Sequence, residues 1–289
     1  MCRDRHHGQH LGLPHNGGMW NDQFQWYERS MLWILRQGDV PSHVAIMPDG
    51  NRRFSRVTGT ELHETYVSGT LLYGRACLWC FGTGVDEITT FLLATRHSRR
   101  CEFEKSALLS GVIDTIMESS HYPNRLRSPG VHMRNCGPME LLPKEYQVKL
   151  ATLEVATTSD TRMMRKQATF YIDGTKSQML RMARDLSQAV GAGALVQEDI
   201  TADFIDAYLA VVECFDVDML MRCAGRRFSD FAVPQCSYAY LNFVPELWEQ
   251  LGFWGWIWAF VKYQIHWPAI KVKTSFLFSI SLEFYTMRR

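Results

Sequence analysis

Residues 43–53 read His-Val-Ala-Ile-Met-Pro-Asp-Gly-Asn-Arg-Arg. A short apolar run closed by Pro-Asp-Gly reads as a buried strand ending in a tight loop, and the stretch beyond it takes up helical period. The same pattern recurs along the chain. Strands are expected over 43–47, 88–93, 131–136, 169–172, 217–221 and 238–243. Crossover helices are expected over 64–81, 104–119, 139–157, 177–190 and 201–213. This alternation argues for an α/β fold, an open and mostly parallel sheet flanked by helices on both faces. No repeat or composition break divides it, so one domain is expected over 20–268. A disordered leader over 1–19 precedes it, and the weak pattern of 269–289 assigns that tail no structure.

The composition narrows the classes. With 46% hydrophobic and 21% charged residues over 289 positions, the chain is neither intrinsically disordered nor a polytopic membrane protein. Thirty-one Lys+Arg against thirty Asp+Glu leave a net charge of +1, so no global field draws it to nucleic acid or an anionic bilayer. Any anion must be gathered by a local cluster. The Trp-rich run 253–261 is interrupted by Lys262 and is too short to cross a bilayer; it lies on a membrane or inside a core. The first residues have no apolar signal-peptide core, and His6, His7, His10 and His15 read as a solvated tail rather than a metal site. The eight cysteines show no framework spacing. Cys77-Leu-Trp-Cys80 has no second pair to complete a zinc site, so packing is the expected role.

In an open parallel sheet, ligands bind at the carboxyl ends of the strands. After the first expected strand comes Pro48–Arg53; after the second, Arg96-His97-Ser98-Arg99-Arg100; after the fourth, Asp173-Gly174-Thr175-Lys176; after the fifth, Arg222 through Asp230. Four loops thus carry arginines, glycines and hydroxyls to one edge. Singly these are solvated loop charges; together they suit a phosphate or diphosphate, with forked guanidinium donors and close backbone approach at glycine. Asp49 is the odd carboxylate. It suits a Mg²⁺ bridging to phosphate oxygens, or a cap on the following helix through the Asn51 or Arg52 amide. Neither GxGxxG nor GxxxxGK[ST] occurs, which argues against dinucleotide oxidoreductases and P-loop NTPases.

Residues 43–53 closely resemble the first signature of the cis-prenyltransferase family, the undecaprenyl and dehydrodolichyl diphosphate synthases. Residues 218–231, Asp-Met-Leu-Met-Arg-Cys-Ala-Gly-Arg-Arg-Phe-Ser-Asp-Phe, resemble the late signature, continued by Pro234-Gln235 and Leu247-Trp248. The resemblance spans about residues 23–268. Trp26-Tyr-Glu-Arg29 and Phe253-Trp254 look more like the eukaryotic dolichol branch than the bacterial one.

The resemblance implies a sheet enclosing a hydrophobic tunnel and a Mg²⁺-dependent transferase. It would condense isopentenyl diphosphate onto an allylic primer such as farnesyl diphosphate, making long-chain cis-polyprenyl diphosphate for dolichol synthesis and protein glycosylation. Gly50, Asn51, Arg52, Arg53 and Arg100 would hold the allylic diphosphate and Asp49 the metal. Arg222, Arg227 and Ser229 would hold isopentenyl diphosphate. His97 stands where the family has an Asn assigned to proton removal, and imidazole can take that role. Leu71, Leu72, Leu108, Leu109, Val112 and Ile113 either line the tunnel or are core.

The chain departs from the family at Leu62, Tyr66, Ala94, Lys176, Gln178 and Tyr240, and lacks the Glu of the late motif before Arg226-Arg227. No Arg-x-Gly tripeptide stands near Arg289. By resemblance a second, non-catalytic homologous subunit is expected to supply it, at the cytosolic face of the endoplasmic reticulum membrane. The alternative is a catalytically degenerate paralogue serving as scaffold or regulator.

Overall fold

The computed structural model describes residues 24–94, 97, 100–118, 131–158, 166–212 and 214–286, with side chains through 271 except that of Glu118. The leader, its histidines, and Arg96, Ser98 and Arg99 lie outside the described residues. Helix α1 (Trp26–Leu35) leads into β1 (His43–Met47), α2 (Asn51–Thr58), α3 (Leu62–Thr83) and β2 (Glu87–Leu93). Next come α4 (Glu102–Leu109), a π turn (Ser110–Asp114) and α5 (Thr115–Glu118), then β3 (Val131–Cys136), α6 (Lys144–Thr157) and β4 (Lys166–Ile172). The chain continues through α7 (Thr175–Gly191), α8 (Ala202–Val212), β5 (Met219–Cys223), β6 (Tyr240–Val244) and α9 (Phe253–Thr286).

The strands form one sheet in the order β3-β4-β2-β1-β5-β6, parallel at every pairing. Strand parity divides the core. Val44, Ile46, Ile88, Leu92, Ala168, Phe170, Met219 and Met221 face the main core under α1, α3 and α9. Their alternates Ala45, Met47, Phe91, Tyr171 and Leu220 face a smaller cluster closed by Phe231, Ala232 and Cys236.

Three differences from the sequence reading have local causes. The expected helix 139–157 is split: Met139–Leu141 is a 3₁₀ turn and Pro143, which cannot sit inside a helix, caps α6. β5 runs two residues later than expected, because Val217 and Asp218 donate to Gln235 O and His43 O before the ladder with β6 begins. Arg222 is therefore inside a strand and not in the loop beyond it. The tail is helical: α9 continues through Pro268 to Thr286, 34 residues or about 50 Å. Cys77 and Cys80 are buried free thiols in α3, and burial pushes Cys77 up to about 12, in keeping with packing.

Candidate active site

Strand β1 lies between β2 and β5. From β1 the chain crosses to one side for β2, β4 and β3, and returns to the other side for β5 and β6. The loops leaving the carboxyl ends of β1 and β5 therefore diverge and leave a crevice, the topological switch point of an open α/β sheet. A cavity of about 810 Å³ opens there. The described residues lining it include Arg52, Arg53, Arg56, Arg100, Arg226 and Arg227, with Asp49 the single carboxylate.

The local geometry starts at Gly50. Its φ of +116° belongs to glycine, and an added Cβ would meet Leu247 at 3.0 Å and Ala224 at 3.2 Å. That turn aims Asp49 across to β5. Asp49 Oδ1 accepts the Gly50 N–H at 2.8 Å and Oδ2 accepts Arg222 Nη2 at 2.7 Å. Arg222 also donates to Ser229 Oγ at 2.7 Å and to the Arg227 carbonyl. Its side chain is 0% exposed against 37% for Asp49.

This arrangement corrects one reading. Asp49 does not cap α2 through Asn51 or Arg52; α2 has no side-chain cap, and the carboxylate is committed to Arg222. Arg222 is buried beside its register partner Met47, a lining residue of the cavity, and Ser229 Oγ accepts from its guanidinium at 2.7 Å, so both stand directly behind the lining. Arg222 holds the rim from beneath while Arg227 is exposed at the cavity.

The other predicted residues come to the same rim. Asn51 Nδ2 donates to Pro48 O at 2.9 Å, tying the start of α2 to the loop. Arg52 pairs with Glu104 at 3.3 Å, and Arg53 donates to the Ala224 carbonyl. Arg100 donates to Tyr66 Oη at 3.2 Å; burial raises this phenol and the Arg100 charge opposes the rise. His97 Nδ1 accepts the Ala94 N–H at 3.2 Å, and the ring lines the cavity. The loop after β5 is strained, with positive φ at Ala224, Ser229, Asp230 and Ala232, as functional loops often are.

The loop after β4 does not join them. Gly174 packs under Asp230, Thr175 N–H donates to Asp230 O at 2.6 Å, and Lys176 is not among the cavity's lining residues. Tyr240 sits at the opposite end of the sheet, at the start of β6, stacked on His266. Of the expected tunnel residues, Leu108 and Val112 line the cavity. Leu71 is 47% exposed, while Leu72, Leu109 and Ile113 pack with the main core. The remaining apolar wall comes from Tyr73, Phe91, Leu92, Phe170 and Trp248.

Arg56 and Trp248 escaped the sequence reading as site residues. The signal for Arg56 was its i+4 and i+3 spacing from Arg52 and Arg53. For Trp248 there was only its place in a motif. The Trp248 backbone N–H donates to the Asp49 carbonyl at 3.1 Å and the indole Nε1–H to Gly69 O at 2.8 Å, so one residue joins the β1 loop, through its backbone, to α3, through its buried ring.

Next to it, both Glu249 carboxylate oxygens are buried without a hydrogen-bond partner. Burial, with the Asp49 charge adding, raises this acid from an ordinary 4.5 to about 7. A folded-state value above the unfolded one favours folding at low pH, and that contribution is lost as pH rises through about 7. Glu249→Gln is expected to flatten the fall in stability between about pH 4.5 and 7 and to gain about 1–2 kcal/mol at pH 8. Thermal unfolding of both proteins across that range measures it.

Comparison with known proteins fits the geometry. The sequence model described as "Putative undecaprenyl diphosphate synthase" matches residues 46–267. A dehydrodolichyl diphosphate synthase complex subunit of Mus musculus is 27% identical, over 82% of this chain and 71% of that protein. Isoprenyl transferase 1 of Corynebacterium efficiens is 31% identical, over 77% and 86%. Among solved structures, lavandulyl diphosphate synthase of Lavandula x intermedia, in complex with dimethylallyl diphosphate, superposes with a TM-score of 0.67. It is 22% identical and the match covers 78% of this chain and 95% of that one.

Proposed function

Given that this chain belongs to the undecaprenyl diphosphate synthase family of cis-prenyltransferases, we propose that it elongates an allylic diphosphate such as farnesyl diphosphate with isopentenyl diphosphate, yielding a cis-polyprenyl diphosphate of the dolichol type. The observation that carries this reading is the cavity itself: six arginines and one carboxylate at its mouth, over a wall of aromatic and aliphatic side chains. A diphosphate fits the mouth and a prenyl chain the wall.

Asp49 is the residue that would hold Mg²⁺. One exposed carboxylate is a poor site by itself, and no cluster of three acidic, His or Cys side chains occurs among the described residues. It is nonetheless the donor set Mg²⁺ takes when substrate phosphates and water complete its shell. Bound there, the ion would neutralise charge on the departing diphosphate. Arg52, Arg53 and Arg100 would bind the allylic diphosphate with Gly50 and Asn51, and Arg227 and Arg226 would orient isopentenyl diphosphate. Arg222 and Ser229 would complete the isopentenyl diphosphate site behind Arg227 and also fix Asp49 and the β5 loop.

As the primer's C–O bond breaks, its electron pair leaves with diphosphate and the allylic carbon becomes cationic. Guanidinium groups aimed at that anion favour the transition state over the ground state. The alkene of isopentenyl diphosphate supplies the electrons of the new C–C bond. Loss of a proton then forms the cis double bond, and His97 at the cavity wall would take it on Nδ1, which must first release the Ala94 N–H.

The relatives named as subunits of a complex support a heteromer as the working form; a homologous non-catalytic partner and a place at the cytosolic face of the endoplasmic reticulum are further parts of the proposal. The test is incubation of the chain, alone and with such a partner, with farnesyl diphosphate, radiolabelled isopentenyl diphosphate and Mg²⁺. Label in a butanol-extractable polyprenyl product is expected. No product from either mixture leaves the scaffold reading.

A further inference from the structure

The loop after β4 carries Asp173-Gly174-Thr175-Lys176, and none of these residues lines the cavity. They meet the β5 loop instead, just past its arginines. The Thr175 N–H donates to Asp230 O at 2.6 Å, and the Thr175 hydroxyl accepts the Val233 N–H at 2.9 Å. Gly174 is buried against the same turn, where an added Cβ would stand 2.3 Å from Asp230 Oδ2 and 3.0 Å from Asp230 O. Asp230 Oδ1 accepts the Lys176 N–H at 3.3 Å, which sets its charge on the N-terminus of the 17-residue helix α7.

The segment held in this way is strained. Ser229, Asp230 and Ala232 have φ of +52°, +70° and +40°, conformations that residues other than glycine keep only where their surroundings enforce them. Three attachments enforce them here. Arg222 donates to the Arg227 carbonyl and to Ser229 Oγ. Phe231 is fully buried, its ring centroid 4.8 Å from that of Phe91 and 5.3 Å from that of Tyr171. Thr175 is the third. The first attachment belongs to the site and the second to the core, whereas Thr175 is half-buried and reaches the turn from another element.

Arg226, Arg227 and Ser229 lie immediately before Asp230 in the chain. The two arginines line the cavity and Asp230 does not. A tilt of the turn at Asp230 therefore displaces the cations that face isopentenyl diphosphate and swings a carboxylate toward them. Gly50, Asn51, Arg52, Arg53 and Arg100 come from the loops after β1 and β2 and feel that tilt less.

We propose that Thr175 is a positioning residue for isopentenyl diphosphate, acting through the turn 229–233 to hold Arg226, Arg227 and Ser229 in place. The identity of the ligand rests on the transferase reading. The test is calorimetric titration of the full chain, in Mg²⁺, with isopentenyl diphosphate or farnesyl diphosphate alone, so that no condensation occurs. Thr175→Val keeps the side-chain shape and the backbone N–H but removes the acceptor of the Val233 N–H. It is expected to raise Kd for isopentenyl diphosphate about three- to tenfold and to leave Kd for farnesyl diphosphate within about twofold. Thr175→Ser keeps the hydroxyl and should retain the parent affinity. Gly174→Ala, which forces Asp230 aside, should weaken isopentenyl diphosphate about tenfold or more.

A merely structural role for Thr175 would lower the unfolding midpoint of Thr175→Val while both affinities stayed the same or fell alike, and either result overturns the proposal while leaving the transferase reading in place. A wild-type chain that binds neither diphosphate removes the transferase reading and this inference with it. Thr175→Val is isosteric at a half-buried position, so the comparison does not depend on Gly174→Ala folding.

Discussion

Asp49→Asn is expected to reduce turnover about 10²–10³-fold or more, with an unfolding midpoint close to that of the parent. The asparagine oxygen still accepts from Arg222, so the fully buried guanidinium keeps a partner at a cost of about 1 kcal/mol. What is lost is the one negative charge among the described residues lining the cavity. Asp49→Ala is a different experiment. It leaves Arg222 buried with Ser229 Oγ and the Arg227 carbonyl as neutral acceptors, and is expected to destabilise the fold by about 3 kcal/mol besides abolishing activity. Steady-state kinetics with urea unfolding of both variants separates the two effects. Unchanged turnover in Asp49→Asn would remove this residue from the chemistry, and with it the proposed Mg²⁺ site.

Trp248→Ala should have the largest effect on stability, about 3–5 kcal/mol, since a 1% exposed indole packed against Trp256 would leave a cavity between the β1 loop, α3 and α9. Trp248→Phe keeps most of the volume and loses only the hydrogen bond to Gly69 O, so about 1–2 kcal/mol is expected. If the indole matters for positioning Asp49, the Phe variant also raises KM for the primer while kcat moves little. Equal stability of Phe and wild type, with an unchanged KM, would mean that the Gly69 bond contributes nothing to holding the rim.

Much of the fold is legible in the sequence because strand and helix periods are local properties. Residues 43–47 and 131–136 were bounded as observed, and the other strands shifted by a few residues where ladder partners far away in sequence set their ends. The loop 48–53 was readable for the same reason: a glycine at positive φ, a carboxylate and a run of arginines all lie within six residues. The loop after β4 was misread. Its glycine and hydroxyl look like phosphate-binding chemistry, yet Gly174 packs on Asp230 and the Thr175 hydroxyl accepts the Val233 N–H. The tunnel expected from four leucines, one valine and one isoleucine was equally out of reach, since helical period says which face is apolar and not whether that face meets a void or another helix.

The sequence by itself determined the α/β alternation, the family and the aspartate-arginine loop, since each is written in contiguous residues. Only the tertiary structure decided the roles of the arginines. Arg222 points inward because β5 pairs with β1 in a register that sets it beside Met47, and a shift of one residue would have turned it to the other face. Arg52, Arg53, Arg56, Arg100, Arg226 and Arg227 meet at one mouth because crossovers leave β1 and β5 in opposite directions. Burial, pairing and charge at Asp49 and Glu249 then follow from neighbours up to 200 positions away, which no local pattern of residues encodes.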